Sequence, residues 1–264
     1  MNDIVEHLRD LRVCCKTDIG PKRPRNEDHY VIVKDPRDGR DTRSLGYLFA
    51  IADGMGGHPG GAEASLMACE QLVNYYYDNR EIDKQDIGAT VRKRLGVLEE
   101  AILKIHGDIQ KYARIHKGYE GMGTTLSALV LLGSFALTAH VGDSRVYRLR
   151  GTGLEKLTED HTMAQLSVEM GFLKQDEARD HPMSHVLMQS VGTGLEEVHT
   201  RLEKTLPGDT FLLCSDGLHG VVPDEAIKEI LARNPEVEAA CGRLLAEALG
   251  RGGRDNVTVM VIHV

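Results

Sequence analysis

Leu126-Ser-Ala-Leu-Val-Leu-Leu-Gly-Ser-Phe-Ala-Leu-Thr-Ala-His-Val141 is the longest apolar stretch of this chain. A helix that crosses a membrane needs about 20 unbroken apolar residues, but this stretch is interrupted by Gly133-Ser134 and carries His140 near its end. Two apolar halves around a Gly-Ser connection read as an antiparallel β-hairpin. Working outward, short apolar runs of the same kind predict strands at Arg12–Lys16, Tyr30–Val33, Tyr47–Ala52, Thr125–Leu132, Phe135–Val141, Arg145–Arg150, Phe211–Cys214 and Val257–Val264. Gly142-Asp143 reads as a second tight connection, which suits antiparallel pairing of the strands on either side of it.

Helical periodicity is confined to other parts of the chain. In Ile87–His116 the apolar positions Ile87, Val91, Leu95, Leu98, Ile102, Ile105, Ile109 and Tyr112 recur three or four apart and share one face. Ala62–Tyr77 repeats the pattern through Leu66, Cys69, Val73 and Tyr76. Asp224–Leu231, opened by Pro223, and Val237–Leu249 read as two further helices. Strands and helices gathered in blocks predict an α+β domain rather than the βαβ alternation of a parallel sheet. No repeat, linker or low-complexity tract divides residues 1–264, so one domain is expected. Leu166–Thr193 is polar, Met-rich and weakly periodic, which predicts a mobile flap over about residues 163–193. Met163, Met170 and Met183 are expected to pack within it rather than contact a cofactor.

The 264 residues are 41% hydrophobic and 27% charged, enough to bury one core. A net charge of −8 argues against nucleic acid, whose binding relies on neutralising many phosphates with Lys and Arg. Any anionic substrate group would need a local basic pocket. Cys14, Cys15, Cys69, Cys214 and Cys241 form no CxxC pair and sit mostly in apolar stretches, which suits reduced, buried thiols in the cytoplasm. The charges in Met1-Asn-Asp-Ile-Val-Glu-His-Leu-Arg-Asp-Leu-Arg12 interrupt what a secretion signal would need as its apolar centre.

The chemistry is written where strands end. Leu48-Phe-Ala-Ile-Ala52 runs directly into Asp53-Gly54, and Phe211-Leu-Leu-Cys214 runs through Ser215 into Asp216-Gly217. A third aspartate, Asp255, stands before the last strand in Gly252-Gly-Arg-Asp-Asn256. Carboxylates brought together at one sheet edge repel one another unless a cation lies between them. With oxygen ligands and no His/Cys set at zinc spacing, Mg²⁺ or Mn²⁺ fits best. Two such ions polarise a water into a nucleophile and neutralise a phosphoryl group. Asn26-Glu27-Asp28 precedes another strand, with Arg23 four residues before Glu27. That stretch reads either as a phosphate-capturing arginine beside acids or as a solvated charge run.

Other chemistries fail on their residues. Pro59 stands where a dinucleotide fingerprint needs its last glycine in Gly54-Met-Gly-Gly-His-Pro59. There is no G-x-S-x-G elbow and no phosphate loop of the GxxxxGK[ST] type. Cys214 is followed five residues later by His219-Gly220 rather than by an arginine, so a cysteine phospho-enzyme is unsupported.

Taken in order, Thr17-Asp-Ile-Gly-Pro-Lys-Arg-Pro-Arg-Asn-Glu-Asp28, Ala52-Asp-Gly-Met-Gly-Gly-His58, Gly121-Met-Gly-Thr-Thr125, Val141-Gly-Asp-Ser-Arg145, Cys214-Ser-Asp-Gly217 and Gly253-Arg-Asp-Asn256 resemble the motifs of the PP2C (PPM) phosphatases, especially their compact bacterial members. The resemblance implies two antiparallel sheets packed as a central sandwich flanked by helices, in α-β-β-α layers. It implies a serine/threonine protein phosphatase in which a metal-bridging water attacks directly. It further implies that Asp53 bridges two Mg²⁺ or Mn²⁺ ions, that the Gly54 carbonyl is a ligand of one, and that Asp216 and Asp255 hold the other. Glu27 and Asp28 would act through metal-bound water, and Arg23 would bind the substrate phosphate.

This chain departs from the pattern at two places. Animal members carry a histidine, proposed as general acid, at the position of Met55, so leaving-group protonation here comes from water, comes from another residue such as His58, or is not critical. Glu120 replaces the aspartate through which some bacterial relatives hold a third ion, making it a candidate third-metal ligand. Asp143 and Arg145 are expected to hold a turn rather than act as ligands. The implied partners are phosphorylated proteins, a cognate serine/threonine kinase and that kinase's targets, with no membrane, acting as a monomer in the cytoplasm. The competing readings are a phosphoprotein-binding regulator that has lost catalysis and a hydrolase of small phosphoesters.

Overall fold

The computed structural model describes residues 8, 10–35, 39–55, 60–83, 86–179 and 181–264. Its strands are β1 (Arg12–Asp18), β2 (Asp28–Val33), β3 (Tyr47–Met55), β4 (Gly123–Thr124), β5 (Leu126–Leu132), β6 (Phe135–Val141), β7 (Arg145–Arg150), β8 (Gly153–Lys156), β9 (His199–Lys204), β10 (Thr210–Cys214) and β11 (Val257–His263). The helices are α1 (Thr42–Leu45), α2 (Gly60–Asp78), α3 (Ile87–Ile115), α4 (Met163–Glu169), α5 (Gln175–Ala178), α6 (Asp216–His219), α7 (Asp224–Arg233) and α8 (Val237–Gly250).

Two antiparallel sheets stack face to face. One runs β1-β11-β10-β7-β8, and the other runs β2-β3-β5-β6-β9 with β4 paired to the end of β3. The alternation of side chains along a strand sorts the core into three layers. From β3, Leu48, Ala50 and Ala52 face the helices α2 and α3, while Phe49 and Ile51 face the opposing sheet. From β10, Phe211 and Leu213 meet them between the sheets, and Leu212 and Cys214 turn outward under α7 and α8. The central strands are therefore buried on both faces, which is why they read as unbroken apolar runs. The expected α-β-β-α sandwich is the fold observed.

The hairpin reading of Leu126–Val141 holds residue by residue, from Leu126↔Val141 to Leu132↔Phe135. The reading of Gly142-Asp143 needs correction, because β6 and β7 belong to different sheets and do not pair. Gly142 instead passes the chain from one sheet to the other. Its φ of +107° is open to glycine, and a Cβ there would lie 2.6 Å from Thr125 Cγ2. Residues 163–193 contain α4 and α5 and are tied to the body by the bridges Thr162↔Leu187 and Thr124↔Val191. Met170 and Met183 are exposed there, so the expectation that they pack inside is not met. Among the described residues, no helix is long and apolar enough to cross a membrane. All five cysteines are free, with Cys69, Cys214 and Cys241 buried and Cys14 and Cys15 only partly so.

Candidate active site

Antiparallel pairing puts the end of one strand beside the start of the next, and this gathers the acids. Asp28, which opens β2, pairs directly with Asp53 near the end of β3. On the other sheet, β10 ends at Cys214 just before Asp216, where β11 begins after Asp255 and β1 finishes at Asp18↔Val257. The result is a cavity of about 580 Å³ whose walls include Arg23, Glu27, Asp53, Gly54, Asp216 and Asp255. Thr125, Asp143, His185 and Arg254 also line it.

Local bonds hold each group. The Asp53 main chain is clamped by Thr124 and Thr125: Asp53 N–H donates to Thr125 Oγ1, and Asp53 O accepts from Thr125 N–H and Thr124 Oγ1, each at 2.9 Å. Gly54 N–H donates to Glu27 O at 3.1 Å, and a Cβ on Gly54 would fall 2.2 Å from Gly61 O, so only glycine lets β3 lie this close to the start of α2. Asp28 is buried. Its Oδ2 accepts from Ser215 Oγ at 2.8 Å and Thr258 Oγ1 at 2.6 Å, both from the opposing sheet. Arg23 Nη2 donates to Asp255 Oδ2 at 2.5 Å.

The electrostatics follow from crowding acids away from water. Burial, with Asp216 and Asp255 nearby, pushes the Asp28 carboxyl up to about 7 despite its two hydroxyl donors. Burial and Asp255 push Asp216 up to about 6. Asp53 is raised well above the usual carboxylate range by burial and by Asp28, and Asp143 by burial and by Asp216. A cation would relieve all four at once. Asp28 Oδ1 and Asp216 Oδ1 are buried without a hydrogen-bond partner. Unfilled acceptors of that kind fit a hard-cation ligand set. Among the described residues no three His, Cys, Asp or Glu side chains close around a single point by themselves. A complete shell therefore needs further oxygen donors such as backbone carbonyl or water, a mixture such ions accept.

Not every candidate reaches the cavity. Glu120 lies on an exposed turn, where its Oε2 accepts from Gly118 N–H at 2.9 Å, and it is not among the cavity's walls. His58 falls outside the described residues. Arg145 grips Asp160 with Nε and Nη2, a half-buried pair that lines the adjoining cavity and is not among this cavity's walls. Asp143, expected to hold a turn, is among the residues that line the cavity. Asn256 is quoted in the Gly253-Arg-Asp-Asn256 motif, but the sequence assigns it no role. Its Nδ2 donates to Ile19 O and Arg25 O at 2.8 and 2.9 Å, and its Oδ1 accepts Glu27 N–H at 2.8 Å. Those bonds bracket the loop that carries Arg23, although only the presence of Asn256 in a recurring motif could have signalled it.

Comparison with known proteins agrees with this geometry. Residues 34–250 match the sequence model of a family described as protein phosphatase 2C. The chain is 36% identical over 255 residues to the serine/threonine protein phosphatase PstP of Mycobacterium tuberculosis, a match covering 96% of this chain and 45% of PstP, so the chain spans less than half of that relative. It is 32% identical over 250 residues to the serine/threonine phosphatase stp of Listeria monocytogenes, covering 94% of each. The crystal structure of the M. tuberculosis phosphatase PstP/Ppp superposes with a TM-score of 0.82 at 34% identity, over 96% of this chain and 98% of that one. The PstP catalytic domain in complex with two manganese ions superposes with a TM-score of 0.78, also at 34% identity, over 96% and 97%.

Proposed function

This chain belongs to the protein phosphatase 2C family, and from that premise we propose that it hydrolyses phosphoserine and phosphothreonine in proteins, by direct attack of water and without a covalent phospho-enzyme. The observation that carries this reading is the buried acid edge with its two unpartnered carboxylate oxygens, Asp28 Oδ1 and Asp216 Oδ1. Asp53, the Gly54 carbonyl, Asp216 and Asp255 would hold two Mg²⁺ or Mn²⁺ ions, with Glu27 and Asp28 acting through water. When bound, such ions supply an activated water at neutral pH and screen the phosphoryl charge. The two manganese ions of the PstP catalytic domain support that assignment.

The remaining steps belong to the chain's own residues. Arg23 offers a planar fork of donors to two phosphoryl oxygens, and the Asn256 bonds hold its loop in place. Thr124 and Thr125 fix the Asp53 backbone, so the carboxylate is held on a rigid strand end rather than on a loop. Cys214 is no nucleophile: it is fully buried between sheet and helices, and burial pushes its thiol up. Substrates on this reading are phosphoproteins, with a cognate serine/threonine kinase as their source.

The test is phosphate release from a phosphothreonine peptide with Mn²⁺, with EDTA, and with Asp216→Asn. We expect activity only with metal, and a loss in the variant beyond the roughly 10–100-fold that an outer-shell partner costs. A folded, Mn²⁺-binding wild type that releases no phosphate would point to a binding regulator instead.

A further inference from the structure

Hydrolysis of a serine or threonine phosphate must expel an alkoxide, which is about as basic as hydroxide, the anion of water with its pKa of about 15.7. Some group at the cavity has to supply a proton as the bond breaks. The walls offer few donors. Arg23 and Arg254 hold their protons too tightly to give them up. Glu27, Asp53, Asp143, Asp216 and Asp255 are the acids crowded at the site or assigned to its cations, and a carboxylate that faces a cation has no proton to give. Thr125 Oγ1 is already engaged by Asp53 N–H and Ser144 Oγ. Met55, beside Asp53-Gly54, carries no exchangeable proton.

His185 remains. It lines this cavity and also the adjoining one of about 580 Å³ bounded by Asp143, Arg179, Asp216 and His219. Imidazole is the side chain that both holds and releases a proton near neutrality. The other histidine of the second cavity, His219, is buried and spends Nε2 on Asp143 O at 2.9 Å. The ring of His185 has no hydrogen-bond partner among the described residues, and it reaches Asp216 only as a longer-range charge that pulls that carboxyl down. The backbone that follows it is held by two bonds. Val186 O accepts from Met163 N–H at 2.9 Å, and Met188 N–H donates to His161 O at 2.8 Å. These bonds fix the segment against the cavity, where Leu187 also forms part of the wall.

We propose that His185 is the general acid of this enzyme, protonating the serine or threonine oxygen as it leaves phosphorus; the assignment rests on the phosphatase reading above. Water oxygen forms the new bond to phosphorus while the bond to the substrate oxygen breaks. The electron pair of the broken bond stays on that oxygen, which takes the N–H proton of the imidazolium and departs as a neutral alcohol. The attacking water releases its proton to solvent, and the neutral imidazole is reprotonated from solvent.

A missing general acid shows itself through the leaving group. Wild type and His185→Gln are compared with Mn²⁺ on a phosphothreonine peptide and on p-nitrophenyl phosphate, whose phenolate leaves without a proton. The expected result is a loss of about 10²-fold or more in kcat/KM on the peptide, with the aryl phosphate reduced less than about threefold. Thermal unfolding should be unchanged, since the ring has no bonded partner to lose. Equal losses on both substrates, or no loss on the peptide, would overturn the assignment. A wild type inactive on both would instead overturn the phosphatase reading on which it rests.

Discussion

Asn256 shows how one buried amide sets the position of a loop. Both of its donor hydrogens and one acceptor position are spent on residues 19, 25 and 27, on either side of Arg23. The surrounding fit is close: a Cβ on Gly20 would sit 2.3 Å from Asp255 O, and one on Gly217 would sit 2.0 Å from Asn256 O. Asn256→Ala should free the loop at a cost of about 1–2 kcal/mol, or roughly 5–30-fold. If the amide acts through Arg23, that factor should appear in KM for a phosphopeptide more than in kcat. It should then largely vanish in an Arg23→Ala background, as coupled sites require. Additive losses in the double variant would reduce Asn256 to a general structural role. Asp53 and Asp216 were legible in the sequence because a strand running into an aspartate is a local pattern, and Asp255 because it stands just before one. Asn256, Asp143 and His185 were not, because their places depend on contacts far away along the chain or on a segment without periodicity.

Among the elements, α2 and α3 show where sequence periodicity suffices and where it stops. Their apolar faces lie buried against the β3 sheet, and the reading of Ile87–His116 is off by a single terminal residue. What joins them is less visible. Arg94 of α3 is fully buried, with Nη2 on Tyr76 O and Nη1 on Asn79 O, both at 2.5 Å, and its guanidinium lies 4.0 Å over the Tyr76 ring. It thereby satisfies carbonyls that the end of α2 leaves open. Arg94→Met would strand those carbonyls but would also remove a buried charge and its unbonded Nε. The net loss should be about 1–3 kcal/mol, seen as a fall in Tm of roughly 2–4 °C per kcal/mol, with kcat/KM unchanged below the transition. An unchanged Tm would mean that the burial cost of the charge cancels its bonds. β8 and β9 were missed for a related reason. Their exposed and half-buried charges read as loop, yet Arg148 reaches Glu155 at 2.5 Å and Glu203 at 3.3 Å, and Arg201 pairs with both acids. Ion pairs between strands, rather than apolar alternation, mark this edge.

At the scale of the whole molecule, stacking two antiparallel sheets with their strand ends aligned concentrates acids that the unfolded chain keeps apart. Unfolded, Asp28 and Asp216 ionise near 3.8; folded, they are pushed up to about 7 and about 6, and Asp53 is raised as well. The folded chain therefore binds more protons than the unfolded chain between these values, and these groups lose stability as pH rises through that window. Buried histidines act in the opposite sense. Burial holds His140 down to about 3, so it favours folding increasingly as pH rises toward the ordinary imidazole value of 6.5. The two trends overlap, and a single Tm-against-pH curve would not separate them. The difference between curves with and without Mn²⁺ does, because the histidines contribute equally to both while a cation replaces protons only at the acids. The rise in Tm caused by Mn²⁺ should grow from about pH 5 to about pH 7.5, and Asp216→Asn should shrink it. A Mn²⁺ effect independent of pH would mean that the ion binds somewhere other than this cluster of raised carboxyls.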